Sequence, residues 1–257
     1  SLFGLMLMDI AGKAIVVIGG ARGLGLATTG LLAEAGAKLV VIDINRRSLE
    51  RCIGELASPG STVHGICGDI VPKAEATQLV RQAAGKLGRI DGLVNCAGVY
   101  PRRPILDISD EDWDFDWKIN VRGTYNTMAA AVELMRGQPL AGKVRGRIVN
   151  VSSVDAFKAH PQNAHYAATK AAVVSLTRSF ALEFAPDQIL VNAIAPAGIA
   201  TEKAKGSGFL PELASHTPLG RNAELDDITS WIGFMLGNGN NYMTGETVIV
   251  SGGYIFA

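Results

Sequence analysis

The sequence predicts an α/β fold in which one parallel sheet of about seven strands is covered by helices on both faces. Short, continuously apolar runs rich in β-branched residues recur along the chain and alternate with helix-length segments. A strand that is apolar at every position is buried on both faces, as the strands of a parallel sheet are. No Pro/Ser-rich or charged linker divides the 257 residues, so we expect one domain rather than two.

The strands and helices can be assigned in chain order. Apolar runs at 14–18, 38–42, 92–95, 147–151, 189–194 and 247–250 predict six strands, and a weaker candidate at 63–67 brings the sheet to seven. Long helices are expected within 113–135 and 166–184, after the fourth and fifth of the seven predicted strands. Ligands bind such a sheet at the carboxyl ends of its strands, where the candidate residues below are expected to lie.

Composition excludes several classes of partner. With 24 basic and 24 acidic residues the chain is neutral, so it lacks the positive field that non-specific nucleic-acid binding requires. Cys52, Cys67 and Cys96 are an odd, scattered set, which indicates free thiols in a reducing, cytoplasmic compartment. No apolar run is long enough to span a membrane. We expect residues 1–8 to be flexible or packed at an interface and residues 9–257 to form the domain.

A glycine-rich turn follows the first strand and begins a helical pattern. Gly19, Gly23 and Gly25 lie in the stretch Gly-Gly-Ala-Arg-Gly-Leu-Gly. Glycine permits a tight turn and close approach of the backbone, and free N–H groups at a helix start bind a pyrophosphate. Asp43 ends the second strand 18 residues after Gly25, where a dinucleotide-binding fold places an acid on the adenosine ribose. These features predict a Rossmann-type sheet that binds a nucleotide.

A tyrosine and a lysine four residues apart, Tyr166 and Lys170, lie on one face of a predicted helix. A free phenol has a pKa of about 10, and a lysine cation within a few ångströms favours the phenolate. Tyr166 is therefore a candidate general base. Ser153 lies 13 residues before it at the end of a predicted strand, which adds a hydroxyl to the same region.

The glycine spacing resembles the TGxxxGxG turn of the short-chain dehydrogenase/reductase family, with Ile18 where threonine is usual. Asp69 and Ile70 resemble the acidic pair that this family places beside the adenine. The stretch at 95–98, Asn-Cys-Ala-Gly, resembles its NNAG segment, and 196–201 follows its PGxIxT stretch beside the nicotinamide. The resemblance covers almost the whole chain and implies an NAD(P)-dependent oxidoreductase.

The resemblance also implies roles for individual side chains. The catalytic tetrad would be Asn120, Ser153, Tyr166 and Lys170. Tyr166 would take the proton of a secondary alcohol while Ser153 stabilises the substrate oxygen. Lys170 would lower the phenol pKa and reach the nicotinamide ribose, and Asn120 would hold a water for proton relay. The implied cofactor-binding residues are Gly19, Arg22, Gly23, Leu24, Gly25, Asp43, Asp69, Ile70, Asn95, Ala97, Gly98, Tyr166, Lys170, Pro196, Ile199 and Thr201.

The other reactive side chains have simpler explanations. Cys96 is interpreted as a small buried residue rather than a redox centre. His160 and His165 have no acidic or histidine partner at a ligand spacing, so we interpret them as loop or pocket-wall residues and predict no metal site. Arg102 and Arg103 are expected to form a solvated turn, with contact to a substrate carboxylate as the alternative.

A mainly apolar substrate pocket is predicted beside the tetrad. Its expected lining is Tyr100, Val154, Phe157, Gly198, Phe209 and Leu213, and the segment 202–217 is expected to form a lid over it. Such a pocket suits a hydrophobic or cyclic secondary alcohol or its ketone. One alternative is an NADPH-dependent reductase of 3-oxoacyl thioesters on an acyl carrier protein, against which Asp43 and the weakly charged lid argue. Another is a nucleotide-binding scaffold without turnover, against which the intact tetrad argues.

The cofactor and the assembly are the last two predictions. Asp43 favours NAD, because its carboxylate would repel the 2′-phosphate of NADP. Arg22, Arg46 and Arg47 are close enough in sequence to neutralise that phosphate, but they can turn into solvent whereas the acid is fixed at a strand end. Family resemblance implies a homotetramer formed through the two long predicted helices and the C-terminal segment.

Overall fold

Seven strands form one sheet whose neighbours all pair in parallel. The computed structural model describes residues 9–57, 60–205 and 210–256. Its strands are β1 (Ala14–Ile18), β2 (Lys38–Asp43), β3 (Thr62–Cys67), β4 (Gly92–Asn95), β5 (Gly146–Val151), β6 (Ile189–Pro196) and β7 (Thr247–Val250). Their order across the sheet is β3-β2-β1-β4-β5-β6-β7. The predicted fold is therefore confirmed, including the weak strand candidate, while the predicted terminal segment 1–8 and Phe209 lie outside the described residues.

Helices cover both faces of this sheet. They are α1 (Gly23–Glu34), α2 (Arg46–Leu56), α3 (Lys73–Leu87), α4 (Asp110–Trp117), α5 (Thr124–Arg136), α6 (Ala164–Phe184), α7 (Glu202–Lys205), α8 (Leu210–His216) and α9 (Leu225–Leu236). Residues of α3, α5 and α6 share one apolar core with the sheet, and residues of α1 and α9 share the other. In the described ranges no helix is both long enough and apolar enough to cross a membrane.

Strand β1 shows why continuous apolar runs predicted this architecture. All five of its residues are buried. Val16 and Ile18 belong to the core under α3 and α5, whereas Ile15 and Val17 belong to the core under α1 and α9. Side chains alternate between the faces of a strand, so a strand covered on both faces needs an apolar residue at every position.

The long helix predicted within 113–135 is interrupted rather than continuous. Helix α4 begins at a capping box made by Ser109 and Asp112, and a π-helical turn at Lys118–Gly123 then separates it from α5. In this turn the Asn120 carbonyl accepts a hydrogen bond of 2.8 Å from the Thr124 hydroxyl. Turns of this kind are frequent at functional sites, and this one holds Asn120 where the site lies.

Candidate active site

The glycine turn after β1 can be built only from glycine at its key positions. Gly19 has φ +69°, and an added Cβ there would lie 2.7 Å from the Cα of Ala97. A Cβ on Gly25 would lie 2.0 Å from the Gly19 carbonyl oxygen. Gly23 has φ +52° and faces open space. The turn therefore leaves a backbone-lined cradle of the kind that accepts a pyrophosphate.

The first turn of α1 supplies the donors for such a ligand. Arg22 is the N-cap residue, and no side chain caps the helix start. The first N–H groups of a helix have no partner within it, so here they are available to an anion. Leu24, in the same turn, is partly buried and packs against the core.

Asp43 stands at the end of β2, beside this turn. Its Oδ2 accepts from the Ala21 N–H at 3.2 Å, and its Oδ1 accepts from the Asn45 N–H at 2.9 Å. A carboxylate has about four acceptor positions, so it retains capacity for ribose hydroxyls. Arg22 and Arg46 beside it are exposed. The structure thus holds the acid in place and leaves the arginines in solvent.

The side chains of two predicted cofactor residues, Asn95 and Ile70, have their contacts inside the fold. The Asn95 side chain is buried, where its amide donates to Asn150 at 2.8 Å and its oxygen accepts from Thr127 at 2.7 Å. Ile70 belongs to the apolar core. Both side chains thus build the sheet and its packing, and a cofactor contact through their backbone groups stays a prediction. Asp69 is partly exposed and accepts from the Val71 N–H at 2.9 Å.

The predicted nicotinamide loop begins where β6 ends. Pro196 is the last residue of that strand, and Ile199 pairs with Ala223. The Thr201 hydroxyl accepts from the Ala204 N–H at 3.2 Å and lies near the Tyr100 phenol, whose pKa it lowers. Because the Tyr100 ring packs against Tyr166, the loop lies close to the tetrad.

The four tetrad residues meet at the carboxyl end of the sheet. The ammonium of Lys170 lies 5.7 Å from the centre of the Tyr166 ring and donates to the Val151 carbonyl at 2.8 Å. The Ser153 hydroxyl lies near the Tyr166 phenol and lowers its pKa. A Cβ on Gly98 would lie 3.2 Å from Asn120 Oδ1 and 3.5 Å from Lys170 Nζ. Gly98 therefore leaves room where these two side chains converge.

Asn120 is held by hydrogen bonds on both ends of its amide. Its Oδ1 accepts from the Val99 N–H at 2.8 Å, and its Nδ2 donates to the Val99 carbonyl at 2.9 Å and to the Thr169 hydroxyl at 3.0 Å. The side chain thereby joins the segment after β4 to α6. It orders the backbone around the site, a role that the prediction of a water-holding residue did not include.

Burial dominates the electrostatics of the tetrad. It lowers the pKa of Lys170 to about 8. It also raises the pKa of Tyr166, and the nearby Asp155 carboxylate raises it further, while the hydrogen bond with Ser153 opposes them. From the sequence we expected Lys170 to bring the phenol pKa toward neutrality. The structure indicates the opposite direction, because desolvation of the phenol and the nearby Asp155 carboxylate both disfavour the phenolate.

Of the predicted substrate residues, Tyr100 lies against Tyr166. Tyr100 packs edge-on against it, with ring centres 6.4 Å apart. Phe157 is exposed and Val154 is buried. A Cβ on Gly198 would lie 2.1 Å from Leu213, so α8 of the predicted lid packs on the loop after β6.

Several polar residues near the tetrad were not predicted from the sequence. Asp155 contacts Ser153, His160 and Asn163. His165 is fully buried in α6, with its Nε2 3.6 Å from Asp116 Oδ2, so it lines no pocket. Asp155, five residues before His160, was the one signal in the sequence, but only the loop conformation brings the two side chains together.

Burial raises the pKa of the Cys96 thiol to about 12, so this thiol is unreactive at neutral pH.

Comparisons with known proteins agree with this geometry. A family model described as enoyl-(acyl carrier protein) reductase matches residues 19–255. The chain is 33% identical over 253 residues to the 3-oxoacyl-[acyl-carrier-protein] reductase of Thermotoga maritima, covering 96% of this chain and 100% of that protein. It is 32% identical over 246 residues to a cyclopentanol dehydrogenase of Comamonas testosteroni, covering 94% of this chain and 96% of that protein.

A solved structure gives the same result for the fold. The short-chain type dehydrogenase/reductase from Mycobacterium marinum superposes with a TM-score of 0.91 at 31% identity, over 98% of each chain. The comparisons leave the substrate open, since the relatives act on different compounds. The chain belongs to the short-chain dehydrogenase/reductase family of nicotinamide-dependent oxidoreductases.

Proposed function

We propose that the protein interconverts a hydrophobic or cyclic secondary alcohol and its ketone with NAD(H). The observation that carries this proposal is the convergence of Asn120, Ser153, Tyr166 and Lys170 beside a glycine cradle at the carboxyl end of the sheet. A nicotinamide cofactor, held by the glycine turn, Asp43 and the loop after β6, would supply the hydride donor or acceptor. No scaffold role needs a half-buried tyrosine beside a buried lysine.

The side chains divide the proton chemistry between them. Tyr166 holds its proton, so in ketone reduction the phenol donates it to the oxygen that gains negative charge. The Ser153 hydroxyl stabilises the same oxygen. In alcohol oxidation Tyr166 must first lose its proton, and Lys170, which is a cation below about pH 8, favours that step. Carbonyl reduction can therefore use the protonated phenol directly, whereas alcohol oxidation requires its deprotonation first.

The preference for NAD rests on Asp43. Its carboxylate is fixed by two backbone hydrogen bonds, at 3.2 Å and 2.9 Å, beside the turn that would hold the pyrophosphate. It would accept hydrogen bonds from ribose hydroxyls and repel a 2′-phosphate. The exposed Arg22 and Arg46 lack any such restraint.

A second candidate is an NADPH-dependent reductase of 3-oxoacyl thioesters on an acyl carrier protein. The family-model description and the Thermotoga maritima relative favour it. Asp43 argues against it through the cofactor. The cyclopentanol dehydrogenase relative, together with the Tyr100 ring packed against Tyr166, supports the cyclic alcohol instead.

A cytoplasmic homotetramer is the assembly that we propose. A groove between α5 and α6 is lined by Tyr125, Val132, Phe180 and Phe184 among others, and Tyr125 is partly exposed. Trp113 and Trp231 are also exposed. Apolar surface of this extent supports self-association. The thiols of the three cysteines are free, which supports a reducing compartment.

The substrate screen tests both candidates at once. The purified protein is assayed with NAD and with NADP against cyclopentanol, other secondary alcohols, diols and hydroxysteroids, by the absorbance of the reduced nicotinamide. The matching ketones and a 3-oxoacyl thioester on an acyl carrier protein are assayed in the reverse direction. Turnover of a cyclic alcohol or ketone with NAD(H) supports the first proposal. Turnover confined to the carrier-bound thioester with NADPH replaces it with the second.

A further inference from the structure

A chain of polar contacts leads away from Ser153 toward the C-terminal segment. The Ser153 hydroxyl lies 3.2 Å from Asp155 Oδ2 and accepts from the Asp155 N–H at 3.1 Å. The Asn163 amide donates to the same carboxylate oxygen at 2.8 Å, and His160 Nδ1 contacts the other oxygen. Asp155 is thus surrounded by three side chains that can donate to it.

The chain continues from His160 to a residue far away in sequence. His160 Nε2 lies 2.7 Å from the Tyr254 hydroxyl, and the two rings stack with centres 5.7 Å apart and planes 13° apart. The ammonium of Lys158 lies 3.8 Å from the centre of the Tyr254 ring. Tyr254 follows the last strand, β7. The C-terminal segment is therefore tied, through His160 and Asp155, to the serine of the tetrad.

We propose that Asp155 is a positioning residue for the reaction, which holds the Ser153 hydroxyl in place. Asp155 is itself held by Asn163 and by His160, and Tyr254 holds His160. This inference rests on the proposed function of the tetrad. An ionised carboxylate only accepts hydrogen bonds, so the three donors around Asp155 fix the orientation of its carboxylate. The serine oxygen is fixed by the Asp155 backbone, and its single proton can turn from Asp155 to a substrate oxygen as negative charge develops there.

The carboxylate also has an electrostatic effect that a purely structural residue would lack. Asp155 raises the pKa of Tyr166, because a negative charge nearby disfavours the phenolate. Tyr100 and Asp116 act in the same direction, while Lys170 is the cation that faces the phenol. Removing the Asp155 charge should lower the phenol pKa. Alcohol oxidation should speed up as the pH rises and Tyr166 loses its proton. Without the Asp155 charge, this increase in activity should begin at lower pH than in the wild type.

The test compares Asp155→Asn and Tyr254→Phe with a matched control, Tyr242→Phe. Tyr242 is almost fully exposed, so loss of its hydroxyl should leave activity unchanged. Loss of a hydrogen bond to a charged group predicts a fall in kcat of roughly 10-fold or more for Asp155→Asn. The cofactor Kd should stay the same, and the pH profile of cyclopentanol oxidation should move to lower pH. Tyr254→Phe retains the stacking on His160 and leaves the Asp155 charge in place. Its loss of kcat should therefore be smaller, and its pH profile should match that of the wild type.

A second measurement is independent of turnover. In protein labelled with nitrogen-15 at histidine, the His160 signals are assigned by their loss in His160→Asn. We expect them to move in Asp155→Asn, Tyr254→Phe and Ser153→Ala, but not in Tyr242→Phe. Wild-type kcat and pH profile in a folded Asp155→Asn variant would overturn the inference. Unmoved His160 signals in Ser153→Ala would overturn it too. If no alcohol or ketone is turned over, the proposed function fails while the histidine signals still decide whether the network exists.

Discussion

Replacement of Asp116 by asparagine should stabilise the protein at neutral pH. Asp116 and His165 are fully buried, and neither carboxylate oxygen nor either ring nitrogen has a hydrogen-bond partner. Asp116 Oδ2 lies 3.6 Å from His165 Nε2, too far for a good hydrogen bond. Burial raises the pKa of Asp116 to about 6, with Asp112 adding to the shift and Lys170 opposing it. Burial also lowers the pKa of His165, so the pair is not a stable ion pair.

The size of the effect follows from the pKa of Asp116. Because that pKa lies above the ordinary value of 3.8, the folded protein binds the proton more tightly than the unfolded chain. The resulting stability is fully present below about pH 4 and is lost as the pH rises through about 6. The difference corresponds to a penalty of about 3 kcal/mol above that range. Asparagine has nearly the shape of the carboxyl group and cannot ionise, so it should remove this penalty.

Urea unfolding at one protein concentration measures the change. At about pH 7.5 the free energy of unfolding of Asp116→Asn should exceed that of the wild type by about 3 kcal/mol, and near pH 4 the two should agree. Asp114→Asn is the matched control, because Asp114 lies two residues away and is exposed. An equal gain at both pH values, or no gain at either, would refute the argument that the buried charge is the cause.

Three further predictions concern the cofactor and the assembly. Asp43→Ala should weaken NAD binding and narrow or reverse the preference for NAD over NADP; equal or better kcat/KM with NADP in the unmutated protein would show that the arginines decide specificity. Gly25→Ala should raise the Kd for NADH by about 10-fold or more, because its Cβ would lie 2.0 Å from the Gly19 carbonyl oxygen. Gly30→Ala, in α1 with nothing within 4 Å, should bind NADH like the wild type. Light scattering at micromolar concentration should give the mass of a tetramer, and a monomer mass would contradict that proposal.

The sheet could be predicted from the sequence because burial on both faces leaves a simple pattern. Strand β1 is apolar at all five positions and was predicted with its observed bounds. Strand β3 lies at the edge of the sheet, where half-exposed positions weaken the pattern, and it was predicted with least support. The glycine turn was predictable as well, since the steric need at Gly19 and Gly25 is local.

The remaining features depend on contacts between distant parts of the chain. Asp116 and His165 are 49 residues apart, and His160 and Tyr254 are 94 apart. Nothing in the local pattern indicates that these pairs meet. The pKa of Tyr166 was predicted to fall and is raised instead, for a related reason. Its shift depends on how far the phenol is removed from solvent and on the nearby Asp155 carboxylate. The four-residue spacing indicated only Lys170, the one neighbour that favours the phenolate.

The central claim is that Tyr166 transfers the proton in an alcohol–ketone interconversion. The most direct test is the rate of Tyr166→Phe on the best substrate of the screen, with the Kd for NADH measured in parallel. Phenylalanine keeps the ring and removes only the transferable proton, so we predict a loss of about 10²- to 10⁴-fold in kcat with nearly unchanged NADH affinity. A variant that retained more than about a tenth of the wild-type rate would contradict the assignment of Tyr166 as the proton-transfer residue.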